Sequence, residues 1–397
     1  MKNISLDKTI NLILSMYILS LYLFTYREDL FIISNVLSLI FVALVFAQIL
    51  IHGKIKKNKY LLFHLLFIIV SMFSYFYAIK PQYVIGDVRT LVLIYIVMIA
   101  IVNFVDTPEK LYKVVRAFII SGVISSIYIL LISDLTRITR FGSELGNVND
   151  IGMIIGISSI FSINEYVRCK KKVHILYLLP MLIVILLTGS RKAIIFVVTA
   201  TLFIIYGKNN NRLKSKIKFL IWGTIILIVT MYVVIKIPIF YEIIGKRLEG
   251  IFALITGKGK VDNSVNTRLQ MIEYGFELFK TRPILGYGAN NYKVLYGMSY
   301  GMERYAHNNF IELIVNVGIN GAFIYYLSNY MVLRDLYKYQ KKNKNCDLIY
   351  PFMAIIITYF LLGISLVYYD SKHYSIILAL ASVIPSVYHV HKERNTD

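Results

Sequence analysis

Charge is scarce in this chain, and cysteine is scarcer. Only 16% of its 397 residues are Asp, Glu, Lys or Arg, while 57% are hydrophobic, against an apolar share of roughly 45–50% in soluble domains. That deficit excludes a soluble globule and points to a polytopic membrane protein. The two cysteines, Cys169 and Cys346, fall in loops expected on the cytoplasmic side, so no external disulfide is available and no paired thiolate metal site arises. There is no internal repeat with a period of about 20–50 residues and no Pro-rich or Gly/Ser-rich linker, which leaves one membrane domain over residues 1–397. A removable signal peptide is not expected, because Lys2, Asp7 and Lys8 lead straight into a first span that lacks a small-residue cleavage site. Acidic residues are outnumbered 22 to 43, giving a net charge of +21. The excess is spread over short loops, where the positive-inside bias and anionic headgroups account for it, so nucleic acid is not an expected partner.

What the chain does have is long apolar runs. A helix needs about 20 mostly apolar residues to cross a bilayer, and the sequence offers twelve such stretches: 9–26, 30–51, 60–79, 88–105, 117–133, 150–167, 174–188, 192–207, 218–237, 308–332, 348–368 and 374–390. The expected fold is therefore all-α with about twelve transmembrane helices. With a cytoplasmic N-terminus the inside loops carry four, three, four, five and five basic residues, at 52–59, 106–116, 168–172, 207–218 and 334–347. That asymmetry orients the chain with both termini inside.

One loop breaks the regularity. Between Pro238 and Asn309 a long polar segment intervenes, and loops beyond about 15 residues tend to be functional. By the same orientation it lies outside. Within it, Tyr241 to Thr256 reads as an amphipathic interfacial helix. A second helix follows, with Val265, Leu269, Ile272, Phe276 and Phe279 as one apolar stripe, Asp262 to Ser264 as cap candidates, Pro283 as a stop, and Gly286 and Gly288 in a tight turn. Arg268 lies in its first turns, and Arg282 projects on roughly the same side. In the span that follows, Asn309, Glu312, Asn316 and Asn320 recur on one face, with His307 and Asn308 at the outer mouth. A carboxylate inside a span faces a cavity or a partner, so this face is expected to line a polar chamber opening outward. Packing through amide hydrogen bonds is the alternative for Asn316 and Asn320.

Two further outer turns carry arginine: Thr188 to Arg191, and Arg140 to Asn149. Arginine at a membrane boundary is commonly an interfacial anchor, and the second turn also reads as a capped helix start at Asn149 or Asp150. Taken together, Arg140, Arg191, Arg268, Arg282 and His307 all approach the outer side, where guanidinium forks suit phosphate oxygens. No Asp-x-Asp pair and no metal-spaced His, Glu or Cys cluster occurs in an outer loop. Arginines, rather than a metal or another cofactor, are left to stabilise a leaving diphosphate.

These segments resemble the O-antigen polymerase and ligase superfamily, the Wzy and WaaL type proteins. The resemblance is carried by Thr188 to Lys192, by Thr267, Arg268 and Leu269 with Arg282 to Gly288, and by Ala306 to Gly321. It implies a GT-C type membrane glycosyltransferase, independent of metal, acting on undecaprenyl-diphosphate-linked oligosaccharide outside the plasma membrane. In that picture Arg191 and Arg268 hold the donor diphosphate, with Arg282 and Arg140 as weaker transfers. His307 is the general base, and Asn308, Asn309, Glu312 and Asn316 line its cavity. Membrane lipids, a chain-length regulator and a flippase of the same pathway complete the implied partners. The activity so implied is polymerisation of lipid-linked repeat units into capsule, exopolysaccharide or O-antigen, with ligation to lipid A core or another surface acceptor, or flipping of the lipid-linked sugar, as alternatives.

Overall fold

The apolar runs do become helices. A computed structural model describes residues 2–24, 27, 29–53, 55–133, 141–143, 146–208, 221, 232, 236, 263–343 and 346–394. Among the described residues the protein is all-helical, with thirteen α-helices, one 3-10 turn and no strand. Numbered in order, they are α1 Lys2–Phe24, α2 Phe31–His52, α3 Lys59–Phe73, the 3-10 turn Ser74–Tyr77, α4 Pro81–Phe104, α5 Pro108–Ile132, α6 Val148–Cys169, α7 Val173–Leu187, α8 Arg191–Lys208, α9 Asn263–Thr281, α10 Tyr292–Tyr300, α11 Asn309–Lys342, α12 Ile349–Leu362 and α13 Lys372–Arg394. Six stretches, 6–24, 31–51, 59–77, 81–104, 108–132 and 309–342, are long and apolar enough to cross a membrane. The chain is a multi-pass membrane protein. Each expected span before residue 209 and after residue 307 falls on a helix. The expected span 218–237 and the interfacial helix 241–256 lie outside the described residues, apart from the isolated positions 221, 232 and 236.

The chain divides into two compact units. The first comprises 1–44, 109–262 and 346–358. Its described core is the packing of α6 against α7 and α8, which small residues make close: a side chain at Gly152 would press on Ala193 and Ser190, and one at Gly156 on Phe196. The second unit comprises 45–108, 263–345 and 359–397. Here α11 packs on α3, α13 and α9, while α4 packs on α13 and α3.

Two features of this second unit depart from the sequence reading. In α9 the buried positions are Met271 and Gly275, joined by partly buried Ile272, Leu278 and Phe279, whereas Leu269 and Phe276 are 46% and 49% exposed. Gly275 explains the rotation: without a Cβ it lets α9 approach Ile311 closely, which turns Met271 inward and part of the expected stripe outward. In α11, Gly318 takes φ 65° and ψ −176°, a conformation that breaks the helix and that only glycine adopts readily. Asn309, Glu312 and Asn316 precede the break and are buried, but Asn320 follows it and is exposed. The four polar residues therefore do not share one face.

Candidate functional site

The break at Gly318 is filled by another segment of the long loop. Arg282 follows the last turn of α9, Pro283 prevents its continuation, and the chain from Pro283 to Gly288 enters the gap in α11. Tyr287 N–H donates to Val315 O and Gly288 N–H to Asn316 O, both at 2.8 Å, and Ile319 N–H donates to Pro283 O at 2.8 Å. Three backbone groups released by the break thus find partners, as buried amides must. Both Gly286 and Gly288 have positive φ, and a Cβ at Gly286 would collide with the α11 backbone. From the other side the segment is held by the 3-10 turn: Ala289 N–H donates to Ser74 Oγ at 2.9 Å, and Tyr77 Oη–H to Leu285 O at 2.9 Å. Asn291 Oδ1 accepts from Lys80 N–H at 2.7 Å.

The His307 turn is built from the same helix. Asn308 caps α11, its Oδ1 accepting from Phe310 and Ile311 N–H at 2.9 and 3.1 Å. Glu312, one turn in, reaches back so that its Oε2 accepts from Ala306 N–H at 2.6 Å, and its Oε1 accepts from Asn316 Nδ2 at 3.1 Å. Asn316 Oδ1 in turn accepts from Tyr292 N–H at 2.7 Å. Asn309 Oδ1 accepts from the N–H groups of Tyr368 and Tyr369, at 2.9 and 3.1 Å, and its Nδ2 donates to Tyr326 Oη at 2.8 Å. His307 is clamped between these anchored neighbours. Its φ is 52°, which costs an L-residue roughly 1–2 kcal/mol, and residues held so collect at functional sites. The ring is half-buried and lies 4.0 Å, centroid to centroid, from Tyr305.

The arginines are distributed unequally. Arg268 is half-buried on α9 and Arg282 is exposed beside its end, with the guanidinium carbon 4.8 Å from the centre of the Tyr287 ring. Tyr287 Oη also bonds Thr281 Oγ1, so the ring that supports Arg282 is itself fixed. Arg191 belongs to the first unit, at the start of α8, where Ser190 Oγ accepts from Ala193 N–H at 3.4 Å and Gly189 takes φ 60°. Arg140 lies outside the described residues.

Several charged groups near this end of the second unit escaped the sequence reading. Asp87 is 5% exposed on α4; its Oδ1 accepts from Tyr369 Oη–H at 3.0 Å and its Oδ2 has no partner. Lys293 on α10 lies within electrostatic reach of Asp87, Glu312 and Asp370, and 4.5 Å over the Tyr83 ring. Tyr83 Oη–H donates to Glu303 at 2.8 Å, and Lys80 Nζ lies 3.8 Å from the same carboxylate. The available signal was Pro81, a helix-starting residue, which begins α4 early enough to carry Asp87 into its second turn rather than leave it before a span at 88.

Two of the segments that bear the resemblance are thus tied to one another within this unit: Arg282 to Gly288 is plugged into the broken helix that Ala306 to Gly321 begins. Residues 176–326 match the O-antigen ligase family. No curated protein matches the chain. The matched O-antigen ligase segment, short of half the chain, contains Arg191, Arg268, Arg282, His307, Glu312 and Gly318, and leaves out Arg140, Asp87 and Asp370. The match over residues 176–326 supports a membrane enzyme of the O-antigen ligase or polymerase type.

Proposed function

We propose that this protein is a polysaccharide polymerase, a metal-independent, inverting glycosyltransferase of GT-C type with about twelve spans. It moves a growing glycan from undecaprenyl diphosphate onto a lipid-linked repeat unit, for capsule, exopolysaccharide or O-antigen. The long loop and the His307 turn work on the outer side of the plasma membrane, both termini lie inside, and a flippase and a chain-length regulator act beside it. The observation that carries the reading is the clamp on His307, a titratable ring held at positive φ between Ala306 and Asn308.

In the reaction, the acceptor sugar hydroxyl attacks the anomeric carbon of the donor glycan. A new C–O bond forms there, the bond from that carbon to the diphosphate oxygen breaks, and the diphosphate leaves with its lipid. His307 takes the hydroxyl proton; neutral imidazole, with a reference pKa of about 6.5, accepts a proton at neutral pH. Arg191 and Arg268 are assigned to the leaving diphosphate by the resemblance, with Arg282 and Arg140 as further phosphate ligands, stabilising charge as it develops. Arg282 makes no ion pair among the described residues, which leaves its donors available. Exposed Leu269, Phe276, Ile284 and Leu285, near Arg268 and Arg282 along the chain, give a lipid carrier an apolar surface. Asn308, Asn309, Glu312 and Asn316, read from the sequence as lining a cavity, hold the His307 turn in place through their hydrogen bonds.

A ligase shares every donor-side element, and the match to the O-antigen ligase family supports either activity. Purified protein in liposomes containing only lipid-linked repeat units separates the readings. Longer lipid-linked chains support the polymerase, product only after a second acceptor is added supports the ligase, and movement without bond formation supports a flippase. In the same assay Arg268→Lys, which keeps the charge and loses the fork, is expected to lower chain extension about ten-fold. Undiminished extension would argue against bidentate diphosphate binding.

A further inference from the structure

The second unit has another concentration of charge, at the far end of the helices that carry the His307 turn. There the start of α3, the end of α11 and the last turns of α13 enclose a groove of about 1320 Å³. Lys57 and Lys59 line it from the start of α3, and Lys338, Lys341 and Lys342 from the end of α11. None of these five lysines has a partner among the described residues. Elsewhere lysines do find carboxylates: Lys110 pairs with Asp7 at 3.0 Å, Lys280 with Glu277 at 2.7 Å and Lys208 with Asp347 at 3.6 Å. Among the described residues lining the groove, the one carboxylate, Asp335, is already engaged by adjacent Arg334 at 2.9 Å.

The sign of this charge is partly wrong for the helices themselves. Lys341 and Lys342 in the last turn of α11 complement its dipole, but Lys57 and Lys59 flank the start of α3, where the dipole is positive and no acidic residue offsets it. Five unpaired ammonium groups and a positive helix end around one concavity repel one another until an anion enters. The remaining lining says which kind of anion. Met331, Val332, Ala381 and Pro385 form an apolar wall beside the lysines, and Lys59 and Lys342 are the end residues of two stretches long and apolar enough to cross a membrane. The groove thus has a polar floor at the depth of headgroups and a wall suited to acyl chains.

We infer that this groove binds an anionic phospholipid headgroup, and its size and five lysines suit one that carries two phosphates. Lysine contributes point charges rather than forks, which fits a headgroup held by charge at the membrane surface. The assignment is independent of the glycosyltransferase reading.

Amine-reactive footprinting of the full chain in nanodiscs tests it. With cardiolipin added to phosphatidylcholine discs, labelling of Lys57, Lys59, Lys338, Lys341 and Lys342 is expected to fall about five-fold, while that of exposed Lys280 stays unchanged. Equal labelling in both discs, or an equal fall at Lys280, overturns the site. Inorganic diphosphate added to phosphatidylcholine discs should protect the five lysines little; protection matching that of cardiolipin would assign a soluble diphosphate and overturn the lipid. The triple variant Lys338→Glu, Lys341→Glu, Lys342→Glu should retain about ten-fold less cardiolipin through purification than wild type. Undiminished retention by the folded variant also overturns the site, and the wild-type footprint decides the matter should the variant fail to fold.

Discussion

Two turns in this protein present a motif residue at the start of a helix, and they are made in opposite ways. The side-chain bonds of the turn before Arg191 are local: Thr188 Oγ1 donates to Ile185 O at 2.7 Å and accepts from Ser190 N–H at 3.3 Å, and Ser190 caps α8, while Phe141 N–H reaches in from outside to donate to Leu187 O at 3.1 Å. The turn at His307 is capped locally by Asn308, but its position is set from afar. Asn309 N–H donates to Gly363 O at 2.7 Å, Asn309 Oδ1 takes the amides of Tyr368 and Tyr369, and Asn316 links the same helix to Tyr292. A turn with local side-chain caps is buffered against change around it. One fixed by several partners many residues away transmits more of each change, so remote residues should matter more to His307 than to Arg191.

The sharpest break in the comparison is His307→Ala, which removes the ring and leaves the Asn308, Asn309 and Glu312 anchors of the turn in place. Chain extension is expected to fall by about 10²–10⁴-fold, the span of a lost general base, with membrane insertion and thermal unfolding in detergent unchanged. Full activity would remove His307 as the base. Gly318→Ala attacks the frame instead. A Cβ there would collide with the Ile284 carbonyl at a backbone conformation reserved for glycine, so a loss of at least about 2 kcal/mol is expected. Gly301→Ala, also at positive φ but with open space around it, should cost only about 1 kcal/mol; equal melting temperatures for the two variants would deny the plug its role.

Comparable in size is Glu312→Gln, which keeps one acceptor oxygen and turns an amide donor toward either Ala306 N–H or Asn316 Nδ2. One unpaired buried donor is expected to cost about 1–3 kcal/mol, and extension should fall with it, because the turn that aims His307 loosens. A stable but inactive variant would instead give Glu312 a direct chemical role. Ser190→Ala is the smallest. The Ala193 N–H to Ser190 Oγ bond is long at 3.4 Å, so the lower end of a cap deletion applies, about 0.5 kcal/mol, with extension retained. A loss comparable to that of Gly318→Ala would show that the Arg191 turn is no more self-sufficient than the other.

Legibility in the sequence followed the range of the interactions. The helices were legible because apolar runs of membrane length admit little else, and the end of α9 and the start of α11 fall within two residues of Pro283 and Asn308. The periodicity from Asn309 to Asn320 misled, because equal spacing implies one face only while the helix is continuous, and Gly318 interrupts it. The stripe of α9 was placed by its large apolar residues, whereas a glycine decided which side could come close. Asp87 was overlooked because nothing within α4 marks it; its meaning comes from Tyr369, which lies far along the chain.

By itself the sequence determined the class of protein, the membrane-length helices and the residue types able to bind a diphosphate or accept a proton. Composition and local spacing act over one or two helical turns, and those properties need no more. Only the tertiary structure decided that Pro283 to Gly288 fills the gap at Gly318, that Glu312 and Asn316 hold backbone amides, and that five unpaired lysines surround one groove. Each depends on buried donors and unneutralised charges finding, or lacking, partners from distant segments, and that pairing arises only when the helices pack.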